Sequence, residues 1–203
     1  MTQGATNEAD GTDAAAVLLE VEAALASPGA DHGFVFAYGS LMWRPDFPHH
    51  AVHRARLTGL HRAPCVLSHV HRGTPERPGI VFGLDRGGSA NGLAFEVGRS
   101  DMAEVLARLR ARELVTHVYL ERRRTVRLMA DGRTVPAVTY VVDRSHAQYA
   151  GRLGVEALLE RIRGAVGQSG PNEAYVLDTA TKLAELGIRD PLIEALARAL
   201  GEA

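Results

Sequence analysis

Phe34-Val35-Phe36-Ala37-Tyr38-Gly39-Ser40-Leu41-Met42-Trp43 decides how this 203-residue chain is read. It begins as an apolar run of β-formers, the pattern of a buried strand. The run breaks at Tyr38-Gly39-Ser40, where a glycine permits a sharp turn or a close approach of backbone to a ligand. Ser40 is a candidate cap for the segment after it. Successive main-chain N–H groups at a strand end can form a small concavity for an anion. The stretch reads either as a strand with an ordinary turn or as a strand leading into a carboxylate site that needs no metal and no lysine.

On its N-terminal side, residues 1 to about 13 are polar, contain no basic residue and read as a disordered tail. Asp13 is placed to cap a short helix carrying Val17, Leu18, Val21 and Leu25, which Ser27-Pro28-Gly29 ends. This divides the chain into an extension, 1–30, and a domain, 31–203.

On the other side, Pro45 and Pro48 mark a loop, and residues 56–68 and 79–85 read as strands. Arg86-Gly87-Gly88-Ser89 predicts a turn, with a further strand from Asn91 to Val97. Ser100 is a credible N-cap for a helix with Met102, Val105, Leu106 and Leu109 on one face. Arg112-Glu113 falls at its end. Val118–Leu128 and Val135–Val142 form a hairpin about Asp131-Gly132. Three helices come next, over 155–166, Asn172–Leu186, and Pro191 to about Leu200, where Asp190-Pro191 supplies a cap and a first-turn proline. Strands first and helices later predict an α+β fold with helices packed on a curved sheet.

Composition narrows the functional classes. Hydrophobic residues make up 46% of the chain, enough for a sizeable core, and the net charge of −1 carries no nucleic-acid footprint. The single cysteine, Cys65, excludes an intramolecular disulfide. No apolar run has the length of a membrane span, and the N-terminus lacks the pattern of a signal peptide. The expectation is a soluble cytoplasmic protein with no membrane partner; the oligomeric state is left open.

Several side chains are candidates for chemistry. Glu113 is either a surface glutamate or a functional one. A negative charge at a helix C-terminus opposes the dipole, at a cost of about 0.3–1 kcal/mol, and so invites a second reason for its presence. Glu104 lies nine residues earlier. That is about two and a half turns, so it faces away, toward solvent. His69 and His71 share a strand face, but no third ligand stands at convincing spacing for a metal. Cys65 lies near His61 and His69, yet its apolar surroundings read as those of a buried hydrophobe. Tyr149 sits in a loop, and Asn172 reads as a helix start.

Taken in order, five segments resemble the γ-glutamylcyclotransferases, specifically the ChaC type that acts on glutathione. They are Tyr38-Gly39-Ser40-Leu41-Met42-Trp43, His71-Arg72-Gly73-Thr74-Pro75 with Pro78-Gly79, Arg112-Glu113, Gln148-Tyr149-Ala150-Gly151 and Ser169-Gly170-Pro171-Asn172. The resemblance implies a small closed β-barrel with surrounding helices. It implies glutathione as the small-molecule substrate, 5-oxoproline and Cys-Gly as products, and no cofactor or metal. It assigns Glu113 as the general acid/base and tips Tyr149 toward substrate. The backbone of Ala37, Tyr38, Gly39, Ser40, Leu41 and Met42 would hold the substrate's α-carboxylate. Three alternatives stay open: a cyclotransferase for another γ-glutamyl compound, a non-catalytic binding module, and a Cys65 hydrolase.

Overall fold

Five strands close into a barrel in the order β1-β3-β2-β4-β5. The structure, a computed structural model, describes residues 32–201, so the extension 1–30 and its expected short helix lie outside the described residues. The strands are β1, His32–Ala37; β2, Ala51–Ser68; β3, Gly79–Gly98; β4, Tyr119–Leu128; and β5, Thr134–Val142. β2 and β3 form one long antiparallel hairpin, and β4 and β5 form a second. β1 joins them, antiparallel to β3 and parallel to β5, with Phe34 opposite Ala137 and Val35 opposite Val138. That parallel pair closes the barrel.

Alternation along β1 explains the layering. Phe34, Phe36 and Tyr38 belong to a cluster drawn from the strands and the Tyr38 turn alone, with Leu57, Leu84, Ala94, Val126, Leu128 and Ala137. Since no helix contributes to it, it is the inner lining of the barrel. Val35 and Ala37 point the other way, into a cluster shared with the helices. These are α1, Met102–Glu113; α2, Val155–Ile162; α3, Asn172–Glu185; and α4, Pro191–Gly201. Met102, Val105, Leu106 and Leu109 are all buried, as their spacing predicts. A two-residue ladder, β6 at Val166–Gly167 and β7 at Gly170–Pro171, leads into α3. No helix among the described residues is long and apolar enough to cross a membrane.

The structure corrects three local expectations. Gly87 and Gly88, both at positive φ, do not reverse the chain. They form a bulge opposite Gly59 within the continuous β2–β3 hairpin, where the register shifts between Thr58 and Leu60. The helix expected over 155–166 stops at Ile162, because Arg163 turns extended and Gly164 takes φ +67°. Val166 is consequently exposed rather than on a buried face. β2 starts at Ala51, earlier than residue 56, because its first paired residues include exposed Val52 and Arg54 and lack an apolar signature.

One close approach fixes the end of β1. A Cβ at Gly92 on β3 would overlap the carbonyl oxygen of Ala37. Gly92→Ala should therefore push β1 and β3 apart and lower stability by about 1–3 kcal/mol, the usual range for overpacking. Urea unfolding checks this: the midpoint should fall with little change in slope.

Candidate active site

After Ala37 the chain turns through Tyr38 and Gly39 into a single 3₁₀ turn, Ser40–Met42. The Met42 and Trp43 N–H groups donate to the carbonyls of Gly39 and Ser40. Those of Gly39, Ser40 and Leu41 have no acceptor among the described residues. Ser40 does not cap this turn, contrary to the sequence expectation. Its hydroxyl accepts a hydrogen bond from Arg112 Nη2 at 2.9 Å.

The orientation of this turn is imposed from behind by Arg62. Its guanidinium is only 4% exposed and ion-pairs with Asp190 at 3.1 Å. Nε donates to the carbonyl of Tyr38 and Nη2 to that of Asn91. A trans peptide sets C=O and N–H in opposite directions. Holding the Tyr38 carbonyl on Arg62 therefore aims the Gly39 N–H the other way, toward the cavity that Gly39 lines.

That cavity encloses about 250 Å³. Tyr38, Gly39, Ser40 and Leu41 form one part of its wall, and Glu113 at the end of α1 forms another. The Glu113 side chain is 18% exposed, with Oε1 3.3 Å from Arg112 Nε. Burial pushes its pKa up, and the Arg112 guanidinium partly opposes that. Arg112 also donates to the Arg44 carbonyl at 2.7 Å and to Asp46 at 3.0 Å, which ties the end of α1 to the turn after β1.

Tyrosines surround the carboxylate. Tyr38 and Tyr175 are buried and Tyr119 is half-buried, and desolvation together with the Glu113 charge raises the pKa of each. They are therefore neutral hydrogen-bond donors at physiological pH. Tyr38 donates to the Tyr140 carbonyl and Tyr119 to the Phe82 carbonyl. Tyr175 differs: its oxygen accepts the Phe82 N–H at 3.1 Å. Its own proton has no acceptor among the described residues. A Cβ on Gly39 would stand 3.4 Å from that hydroxyl.

The structure thus brings together Tyr38, Gly39, Ser40, Leu41 and Glu113. Ala37 and Met42 are buried and lie outside the cavity wall. Tyr149, expected at the substrate, is also off that wall. Its hydroxyl donates to Asp85 Oδ2 at 2.8 Å, because the buried Asp85 carboxylate needs partners and also takes Arg144 and the Arg86 N–H. Asn172 opens α3 without capping it. Its fully buried amide instead pairs with both the N–H and the carbonyl of Ile80, pinning the start of β3. Glu104 faces solvent and pairs with Arg108.

His69 and His71 line the cavity, yet no group of three or more His, Cys, Asp or Glu among the described residues is placed to hold a metal ion. Cys65 is buried off the cavity wall, and burial pushes its thiol up to about 12, which removes the thiolate a nucleophile requires. Sequence reasoning missed Arg62 and Tyr175. The available signal at Tyr175 was a hydroxyl-bearing aromatic on the apolar face of α3. For Arg62 there was none beyond a charge within a strand.

A closed five-stranded barrel with flanking helices is the fold of the γ-glutamylcyclotransferases. The crystal structure of the glutathione-specific γ-glutamyl cyclotransferase from yeast matches with a TM-score of 0.77 at 20% identity, covering 85% of this chain and 96% of that one. The family described as ChaC-like protein matches residues 33–203, and the chain belongs to it. The glutathione-specific γ-glutamylcyclotransferase of Escherichia coli strain K12 is 32% identical over 157 residues, 77% of this chain and 68% of that protein. The glutathione-specific γ-glutamylcyclotransferase 1 of Danio rerio is 34% identical over 152 residues, 72% of this chain and 76% of that protein.

The raised pKa of Glu113 has a thermodynamic signature. A carboxylate whose pKa rises on folding favours the folded state below its unfolded value and loses that contribution as pH climbs through the folded one. Glu113→Gln removes this titration. The variant should melt above the wild type at neutral pH, and the difference should shrink as pH falls from the raised folded value toward the ordinary glutamate range, below which it is gone. Thermal melts across that window check the sign.

Proposed function

We propose that this protein is a glutathione-specific γ-glutamylcyclotransferase in which Glu113 moves the protons and the Gly39–Leu41 turn holds the substrate's α-carboxylate. The observation that carries the reading is a largely buried glutamate and three unpaired main-chain N–H groups on one cavity wall, tied together by Arg112. Membership of the ChaC-like family and the names of its relatives supply the substrate.

The α-amine of the γ-glutamyl unit attacks its own γ-carbonyl carbon. A new C–N bond closes the five-membered ring, and the amide bond to the cysteine nitrogen breaks. The nucleophile is tethered to its target, so positioning does much of the work. A free α-amine has a pKa of about 8 and is mostly protonated at neutral pH. Glu113 accepts the amine proton and returns it to the departing Cys-Gly amine, so the proton balance closes within one group. Burial that raises the carboxyl pKa brings it closer to the operating pH, where a general base is most effective. The Tyr175 hydroxyl, with its proton uncommitted, is positioned to donate to oxygen on the same ligand.

Mass spectrometry of purified protein incubated with glutathione should find 5-oxoproline and Cys-Gly; free glutamate in their place would mean hydrolysis and overturn the reading. Glu113→Gln should bind glutathione but lose about 10²–10⁴-fold in turnover. Turnover above about a tenth of the wild-type rate, well outside that range, would remove Glu113 from the mechanism. Cys65→Ala and treatment with EDTA should each leave the rate intact in folded protein, since neither thiol nor metal has a part in the ring closure.

A further inference from the structure

Among the described residues, Arg72 is a cavity cation without an ion pair. The wall carries Arg44, Arg72 and Arg112 against the carboxylates of Asp46 and Glu113. Asp46 pairs with both Arg44 and Arg112, and Glu113 pairs with Arg112. Arg72 has only a carbonyl: Nη1 donates to Pro171 at 3.1 Å. Its guanidinium carbon stacks 5.4 Å from the centroid of the Tyr175 ring. Among the described residues, no carboxylate lies within ion-pair distance of it. Burial and the neighbouring charges of Arg44 and Arg112 disfavour the charge there, with Asp178 offsetting them in part. An arginine stays ionised regardless, and its planar fork suits a carboxylate.

The backbone that carries this side chain is also held in place. The Arg72 N–H donates to Ser68 Oγ at 2.9 Å. The carbonyls of Val70 and His71 take the N–H groups of Gln168 and Ser169, so the β6–β7 segment braces the loop. A cation fixed on an aromatic face, partly desolvated and unpaired, fits an anionic ligand group.

Under the cyclotransferase reading, on which this inference rests, the substrate brings two carboxylates. One belongs to the γ-glutamyl unit and meets the N–H groups of Gly39 to Leu41. Tyr175 separates that turn from Arg72: its hydroxyl sits near Gly39 and its ring face under the guanidinium. We propose that Arg72 binds the carboxylate at the far end of the leaving group, so that the site selects γ-glutamyl peptides with a free C-terminus over γ-glutamyl amines and esters.

The test compares glutathione with glutathione esterified at its glycine carboxylate, with 5-oxoproline as the readout. A charge-assisted hydrogen-bonded contact predicts that wild-type kcat/KM favours the acid by about tenfold to a hundredfold. Arg72→Gln should erase that preference, the loss on glutathione falling on KM more than on kcat, and Arg72→Lys should restore part of it. Equal kcat/KM for acid and ester in the wild-type protein overturns the proposal without any variant. An equal loss on both compounds in Arg72→Gln also overturns it, while the continued release of 5-oxoproline leaves the cyclotransferase reading standing. If the wild-type protein forms 5-oxoproline from neither compound, the reaction falls and this assignment falls with it.

Discussion

The peptide between Tyr38 and Gly39 is the constraint on which the site depends, and Arg62 holds it. A planar trans peptide has one orientational freedom once its ends are fixed, and a hydrogen bond on the carbonyl removes it. The ion pair from Arg62 to Asp190 then ties that peptide to the last helix, because Asp190 sits at the start of α4 and accepts the Glu194 N–H on its carbonyl. Residues 128 apart in sequence thereby share one part-buried contact. Loss of Arg62 would leave two carbonyls and a largely buried carboxylate without their partner. Breaking a buried pair from one side in this way is typically costly, about 3–5 kcal/mol. A helix far from the chemistry is in this sense part of the site's foundation.

Arg112 and Glu113 divide two tasks between neighbouring residues. Arg112 reaches the Ser40 hydroxyl, the Arg44 carbonyl and Asp46, which locks the end of α1 against the turn. Glu113, one residue on, shares that backbone and, among the described residues, has one polar contact, with the arginine's Nε. Its distance from the unpaired N–H groups is therefore set by contacts it does not itself make. A carboxylate held by its own strong hydrogen bonds would be better fixed but less basic, because each bond to the ionised form lowers the pKa.

Much of this was legible in the sequence, and the failures share a physical cause. Periodicity located α1 and the β4–β5 hairpin because burial of one face is a local pattern. Gly87-Gly88 was misread because the same two letters serve a turn or a bulge, and Gly59 across the ladder decides which. Glu113 and Tyr38 to Leu41 stood out as motifs. Arg62, Arg72 and Tyr175 acquire meaning only from partners 24 to 128 residues away or from a ring stacked across the cavity. Tyr149 illustrates the converse. This loop tyrosine was expected at the substrate, yet its hydroxyl meets Asp85, 64 residues away and off the cavity wall.

The same wall holds a partly buried anion and a cation unpaired among the described residues that do not neutralise each other, and the arrangement of the rings explains why. If Arg72 reached Glu113, the carboxylate would lose basicity and the arginine would lose its free fork. Arg112 is the charge that acts on Glu113, whereas Arg44, Arg112 and Asp178 are the charged neighbours that act on Arg72. Tyr175 takes Arg72 on its face while its hydroxyl is fixed by the Phe82 N–H, so the cation is stacked in place rather than drawn toward the carboxylate. The Phe82 ring stacks on Tyr175 at 5.3 Å and holds that plane. Under the proposed roles, in which Glu113 moves protons and Arg72 holds an anion, the two charges need a rigid neutral spacer between them. A buried tyrosine whose ionisation is suppressed by burial and by the nearby glutamate meets that requirement at physiological pH.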